Sequence, residues 1–104
     1  MTTLNLQNTT CLPSLKLLGD FWTLRIIDAL SAEELRFCEL QRSAGMVNPV
    51  TLTTRLKKLE SAKLIDRRQE SRSDVHYGLT DLGKEILPVL DAVNRFSEAA
   101  KAIA

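Results

Sequence analysis

The sequence predicts a mainly α-helical domain that carries a small β-hairpin. Three observations predict it: apolar residues recur at helical spacing over most of the chain, the spacing switches to alternation after Lys63, and capping or turn residues stand where each pattern starts or stops. With 104 residues, 44% of them hydrophobic, the chain has material for one domain with a modest core, to which burial against a second subunit would add.

The best-marked element is a helix over 48–63, NPVTLTTRLKKLESAK. Asn48 is a favourable N-cap, because its side-chain oxygen can accept a first-turn amide hydrogen, and Pro49 follows at N1, where no amide is needed. Leu52, Leu56 and Leu59 fall on one side, and Val50, Thr54, Lys57, Lys58 and Ser61 fall opposite. Small hydroxyl and amide groups followed by lysines suit a helix whose N-terminal end enters the DNA major groove while its cations meet phosphate. A solvated face on an ordinary surface helix gives the same pattern.

Charge is distributed unevenly. The chain carries a formal +1, yet between Thr54 and Ser73 seven cations stand against three acids, seven minus three leaving +4, so the remainder carries −3. One basic face on a nearly neutral protein is the footprint of polyanion binding.

In chain order, Met1 to Thr10 reads as a polar arm, grouped with Cys11 and Leu12 as segment 1–12. Pro13 opens an apolar stretch that stops at Gly19, and Asp20 caps a second helix from Phe21 to Ser31. Leu15, Leu18, Trp22, Ile26 and Leu30 make one stripe and Leu17, Phe21, Leu24 and Ile27 a second beside it, wider than one core needs, so one stripe is expected to pack inward and the other to meet a partner subunit. Leu35 to Phe37 is a very short strand, and a helix from about Cys38 to Ala44 ends on Gly45, with Glu39 at the positive end of its dipole. Helix, short glycine-containing turn, helix is the helix-turn-helix unit.

After Lys63, Leu64 to Gln69 and Val75 to Leu79 form a two-stranded hairpin around a loop at 70–74, with Arg67, Arg68 and Arg72 near its tip. Thr80 caps a final helix from Asp81 to about Ile103, bent at Pro88. Its apolar side is the second candidate dimer surface.

Read in order, LLGDFW, IIDAL, RFCEL, LTTRLKKLE, LID with Arg67 and Arg68, VHYGLTDLG and LPVL resemble the HxlR-type regulators, a MarR-like branch of winged helix-turn-helix transcription factors. The resemblance runs from about Leu15 to Phe96. It implies a winged helix-turn-helix domain over 13–80, a dimerisation helix over 81–104, and a homodimeric, sequence-specific regulator of transcription bound to double-stranded DNA. The helix at 48–63 would enter the major groove, and the wing at 64–79 would lie along the backbone or a minor groove.

The DNA-contacting residues this implies are Asn48, Val50, Thr51, Thr54, Arg55, Lys57, Lys58, Arg67, Arg68 and Arg72. The dimer seam would use Leu17, Phe21, Leu87, Leu90, Val93 and Phe96. The family often carries a sensor cysteine, but its position, counted back from LLGDFW, falls near Asn8 here, with Cys11 about one helical turn later. Cys11, and Cys38 at a helix start beside Glu39, are the redox candidates, and a small half-buried apolar role is the favoured reading for each. A small-molecule or oxidant effector is compatible with the resemblance but not identified by it.

Other classes are excluded or disfavoured. His76 has no nucleophile at a diagnostic spacing and there is no glycine-rich phosphate loop, so no enzyme is expected. The cysteine spacing suits no metal site, and no cofactor is expected. No apolar run reaches the roughly 18 residues of a membrane span, and MTTLNLQNTT lacks the features of a secretory signal, so the expected location is the cytoplasm. The competing reading is a winged-helix module that binds another protein and never touches DNA.

Overall fold

The computed structural model describes residues 11–103. Its elements are α1 (Cys11–Leu18), α2 (Phe21–Ala29), β1 (Leu35–Arg36), α3 (Phe37–Ser43), α4 (Pro49–Ser61), β2 (Ile65–Ser71), β3 (Asp74–Leu79), α5 (Asp81–Lys84) and α6 (Leu87–Ile103). The expected arm over 1–12 lies outside the described residues except for Cys11 and Leu12, which begin α1.

Local chemistry explains the boundaries. Asp20 caps α2 by accepting from the Thr23 amide and hydroxyl at 3.1 and 3.0 Å, which also satisfies the buried Thr23 side chain. The helix stops at Ala29, two residues short of expectation, and Ser31 Oγ donates to the Asp28 carbonyl at 2.7 Å to close the turn. In α3 the Glu39 carboxylate accepts the Arg36 amide at 2.9 Å, one of the donors a helix start leaves unpaired. Thr80 Oγ1 accepts from the Gly83 amide at 3.0 Å and donates to the Lys63 carbonyl at 2.7 Å, tying the start of α5 to the end of α4.

Two expectations are corrected. The sheet has three antiparallel strands in the order β1-β3-β2, with Leu35 opposite Tyr77 and Arg36 opposite His76. The short strand expected at Leu35 is present, but its partner β3 lies far along the chain, and local sequence does not show that the two pair. The continuous final helix is really α5 and α6 with a break at Glu85 and Ile86. Within a helix the Pro88 ring would strike the Lys84 carbonyl; starting a new helix at Leu87 puts Pro88 where no donor is needed.

The core gathers Ile26 and Ile27 of α2, Leu30 just after it, Leu40 of α3, Leu52, Leu56 and Leu59 of α4, and Leu35, Val47, Leu64, Ile65 and Ile86 around them. The split into an inward and a partner-facing stripe fails: Ile27 of the second stripe is fully buried, while Leu15 of the first is exposed. The break at Gly19 shifts the helical phase between α1 and α2, so spacing cannot be carried across it.

Candidate nucleic-acid interface

The recognition candidate is α4, and its leucines orient it. With Leu52, Leu56 and Leu59 buried, the opposite face is turned to solvent, and Val50 there is 75% exposed. An aliphatic side chain held out in water beside a hydroxyl row suits contact with thymine methyls. The Asn48 side-chain oxygen accepts from the Val50 amide at 2.8 Å and, longer, from the Thr51 amide at 3.4 Å. Only the Asn48 side-chain amide hydrogens are left for a ligand. Thr54 Oγ1 donates to the Val50 carbonyl at 2.9 Å, so the exposed hydroxyl offers lone pairs and a methyl group rather than a proton.

Lys57 and Lys58 are exposed, and neither has a carboxylate within 4.0 Å among the described residues. Thr51 is half-buried. Arg55, expected as a flanking DNA contact, has another task. Its Nε and Nη2 donate to the two carboxylate oxygens of Asp20 at 2.7 and 2.9 Å, a bidentate, partly buried pair. The Arg55 hydrogen bonds lead the effects that hold the Asp20 carboxyl below its ordinary range, while burial opposes them; Asp20 in turn raises the Arg55 pKa. Arg55 therefore fastens α4 to α2.

The wing also departs from expectation. Arg67 and Arg68 lie in the middle of β2, opposite Tyr77 and His76, rather than near the tip. Arg72 sits in the two-residue turn between the strands. Arg67 donates to the Gln69 side chain at 3.1 Å, whereas Arg68 is paired with Glu34 at 3.0 Å and Glu70 at 3.1 Å. Beside it, Asp74 accepts from Arg36 at 3.1 Å and contacts His76 Nε2 at 2.7 Å. One face of the sheet thus neutralises its own cations, leaving Arg67 and Arg72 without a carboxylate partner among the described residues. Pairs this exposed are worth at most about 1 kcal/mol, so a phosphate could displace Glu34 or Glu70 from Arg68.

Of the expected dimer residues, Phe96 and Val93 are exposed on α6, while Leu17, Leu87 and Leu90 are half-buried against the subunit's own core. Phe21 is 65% exposed on α2, with its ring beneath the Arg25 guanidinium. Cys38 is exposed in the first turn of α3, not half-buried; the side chain of Cys11 lies outside the described residues. Sequence reasoning passed over Arg25, whose stacking on Phe21 and Trp22 leaves no mark in the apolar spacing, and saw Asp20 only as a cap, because its Arg55 partner lies far along the chain. Among the described residues no group of acids, histidines or cysteines could hold a metal ion, and no helix is long and apolar enough to cross a membrane.

Residues 17–102 match the family described as HxlR-like helix-turn-helix. The chain belongs to that family. A helix-turn-helix transcriptional regulator from Halalkalibacterium halodurans is 36% identical over 90 residues, 84% of this chain and 80% of that one. The regulator YdzF of Bacillus subtilis is 32% identical, over 83% of this chain and 82% of its own. Among solved structures, a MarR-family regulator from Porphyromonas gingivalis superposes with a TM-score of 0.83 at 27% identity, covering 93% of this chain and 97% of that one. Quinone-bound YodB of B. subtilis superposes at 0.74 with 28% identity, covering 84% and 93%. The fold is the winged helix-turn-helix, and the family's work is transcriptional regulation through DNA, not catalysis.

Proposed function

We propose that the protein regulates transcription as a homodimer, setting α4 of each subunit into a major groove and laying the β2–β3 wing along the backbone or a minor groove. The observation that carries this is the outer face of α4: Val50 and Thr54 exposed opposite a buried leucine stripe, with Lys57 and Lys58, which have no carboxylate partner among the described residues, a turn later. Val50, Thr54 and the Asn48 amide would read bases, while Lys57, Lys58, Arg67 and Arg72 would hold phosphate. Thr51 borders the groove, and Arg68 joins once released from its acids.

The dimer is supported by α6, which contains no buried residue and carries Val89, Val93, Phe96, Ala100 and Ile103 at the 3-and-4 spacing of a coiled-coil seam. Leu17, Leu87 and Leu90 would floor that seam. Within the expected segment 81–104 the seam would begin at α6, since Gly83 and Ile86 ahead of it are buried in the subunit core. Two α4 helices would then meet half-sites about 34 to 36 Å apart on a pseudo-palindromic operator. Such work takes place in the cytoplasm.

The test is fluorescence anisotropy with random genomic fragments between 50 and 200 mM salt. A dimer that neutralises about six to ten phosphates loses about three to five orders of magnitude in affinity over that range. A flat salt response refutes the proposal.

A further inference from the structure

Phe21, Trp22 and Arg25 stand at i, i+1 and i+4 on α2, so the long Arg25 side chain can reach back over rings one turn earlier. Its guanidinium carbon lies 5.2 Å from the Phe21 ring centre and 5.4 Å from that of Trp22. The two rings meet edge to face at 4.9 Å and 79°, forming one corner. The guanidinium also lies against the turn between α3 and α4. Gly45 there has φ +103°, and a Cβ at that position would collide with Arg25 Nη2.

This is an arginine fixed in place with its charge uncompensated. Arg36, Arg55, Arg68 and Arg95 each have a carboxylate partner, but Arg25 has none within 4.0 Å among the described residues. Stacking on aromatic faces leaves the N–H edges free, and a held guanidinium has less freedom to lose when an anion arrives. Its place in the fold suggests which anion. Gly45 is three residues ahead of Asn48, the N-cap of α4, and Asp20, next to Phe21, is bonded to Arg55 in the middle of α4. The Phe21–Arg25 edge of α2 therefore runs beside the first half of α4.

We propose that Arg25 is a further phosphate anchor of the DNA interface, gripping the strand that flanks the N-terminal end of α4, with Phe21 and Trp22 as its positioning residues. The inference rests on the reading of α4 as the groove helix. A planar donor with free edges matches a phosphodiester, and Phe21 remains exposed because its task is to hold Arg25.

The test uses the full chain and a random-sequence duplex, titrated by anisotropy across 50 to 200 mM salt. Each phosphate contact contributes about 0.9 to the salt slope, so Arg25→Ala should lower the dimer's slope by about two and weaken binding about tenfold or more near 100 mM. Arg25→Lys should keep the slope, and Phe21→Ala should lose a few-fold in affinity with the slope intact. Sedimentation should show all variants as dimers, and circular dichroism checks folding; Arg25→Gln replaces Arg25→Ala if the alanine variant does not fold. A folded Arg25→Ala or Arg25→Gln dimer with the wild-type slope overturns this inference and leaves the α4 reading standing. Dissociation of the dimer by Phe21→Ala overturns it as well, by placing Phe21 in the subunit seam. Wild-type protein that does not bind the duplex overturns both readings.

Discussion

Arg55 grips Asp20 through two hydrogen bonds, of 2.7 and 2.9 Å, and so joins the middle of α4 to the first turn of α2. The same carboxylate caps α2 through Thr23, so one acid sets both the start of a helix and the seat of the recognition helix. Because its folded pKa lies below the ordinary value of 3.8, its contribution to stability is fully present above that value and is lost as pH falls through the lower folded pKa. Thermal melts taken downward from about pH 5 should show the wild type losing this contribution, and Asp20→Asn, which keeps a capping oxygen, should lose less over the same window. Parallel pH profiles for the two proteins would contradict the assignment.

The division of labour on α4 gives a second expectation. Lys58 offers only charge, so Lys58→Ala should weaken binding to every duplex alike and reduce the salt slope. Thr54 offers acceptor lone pairs and a methyl group, and Thr54→Ala should change the ranking among selected genomic fragments by about 1 to 3 kcal/mol while leaving the slope alone. Competition binding with selected and random fragments separates the two; equal effects of Thr54→Ala on both would refute base reading by this residue.

Leu56 is buried in the core on the opposite side of the same helix. Leu56→Ala leaves a cavity and should cost about 2 to 5 kcal/mol of folding stability, measured by urea unfolding. At temperatures where this variant remains folded, its salt slope should equal that of the wild type, because no phosphate contact has been removed.

The elements that were legible in the sequence are those with strong local signals. Asn48, Pro49 and three leucines marked α4, and the alternation around Tyr77 marked β3. What escaped depends on contacts between segments distant in sequence. Asp20 and Arg55 are 35 residues apart, and no periodicity links them. The short strand at Leu35 was legible, but its pairing with Tyr77, which adds a third strand to the hairpin, was not. Arg72 is at the tip as expected, but Arg67 and Arg68 fall in mid-strand, because β2 and β3 run on to a two-residue turn at Arg72 and Ser73, with an irregular register between Gln69 and Ser71. Pro88 was read as a bend because sequence alone does not show that Ile86 must turn into the core just before it.

The last expectation concerns α6. Phe96 is 73% exposed in the subunit, so an aspartate there should leave the fold of a single subunit intact. In a seam formed by two copies the same aspartate would be buried without a partner, a cost large enough to prevent assembly. Phe96→Asp should therefore sediment as a folded monomer and lose the concentration dependence of melting that an assembled wild type shows. Separating the subunits removes the high effective concentration of the second α4, so affinity for a two-half-site operator should fall by about 10²- to 10⁴-fold. Binding to a single half-site should hardly change, because every contact made by one subunit is still present. A Phe96→Asp protein that remains dimeric would locate the seam elsewhere, and one that becomes monomeric yet binds the full operator as tightly as wild type would show that the two α4 helices do not act on DNA together.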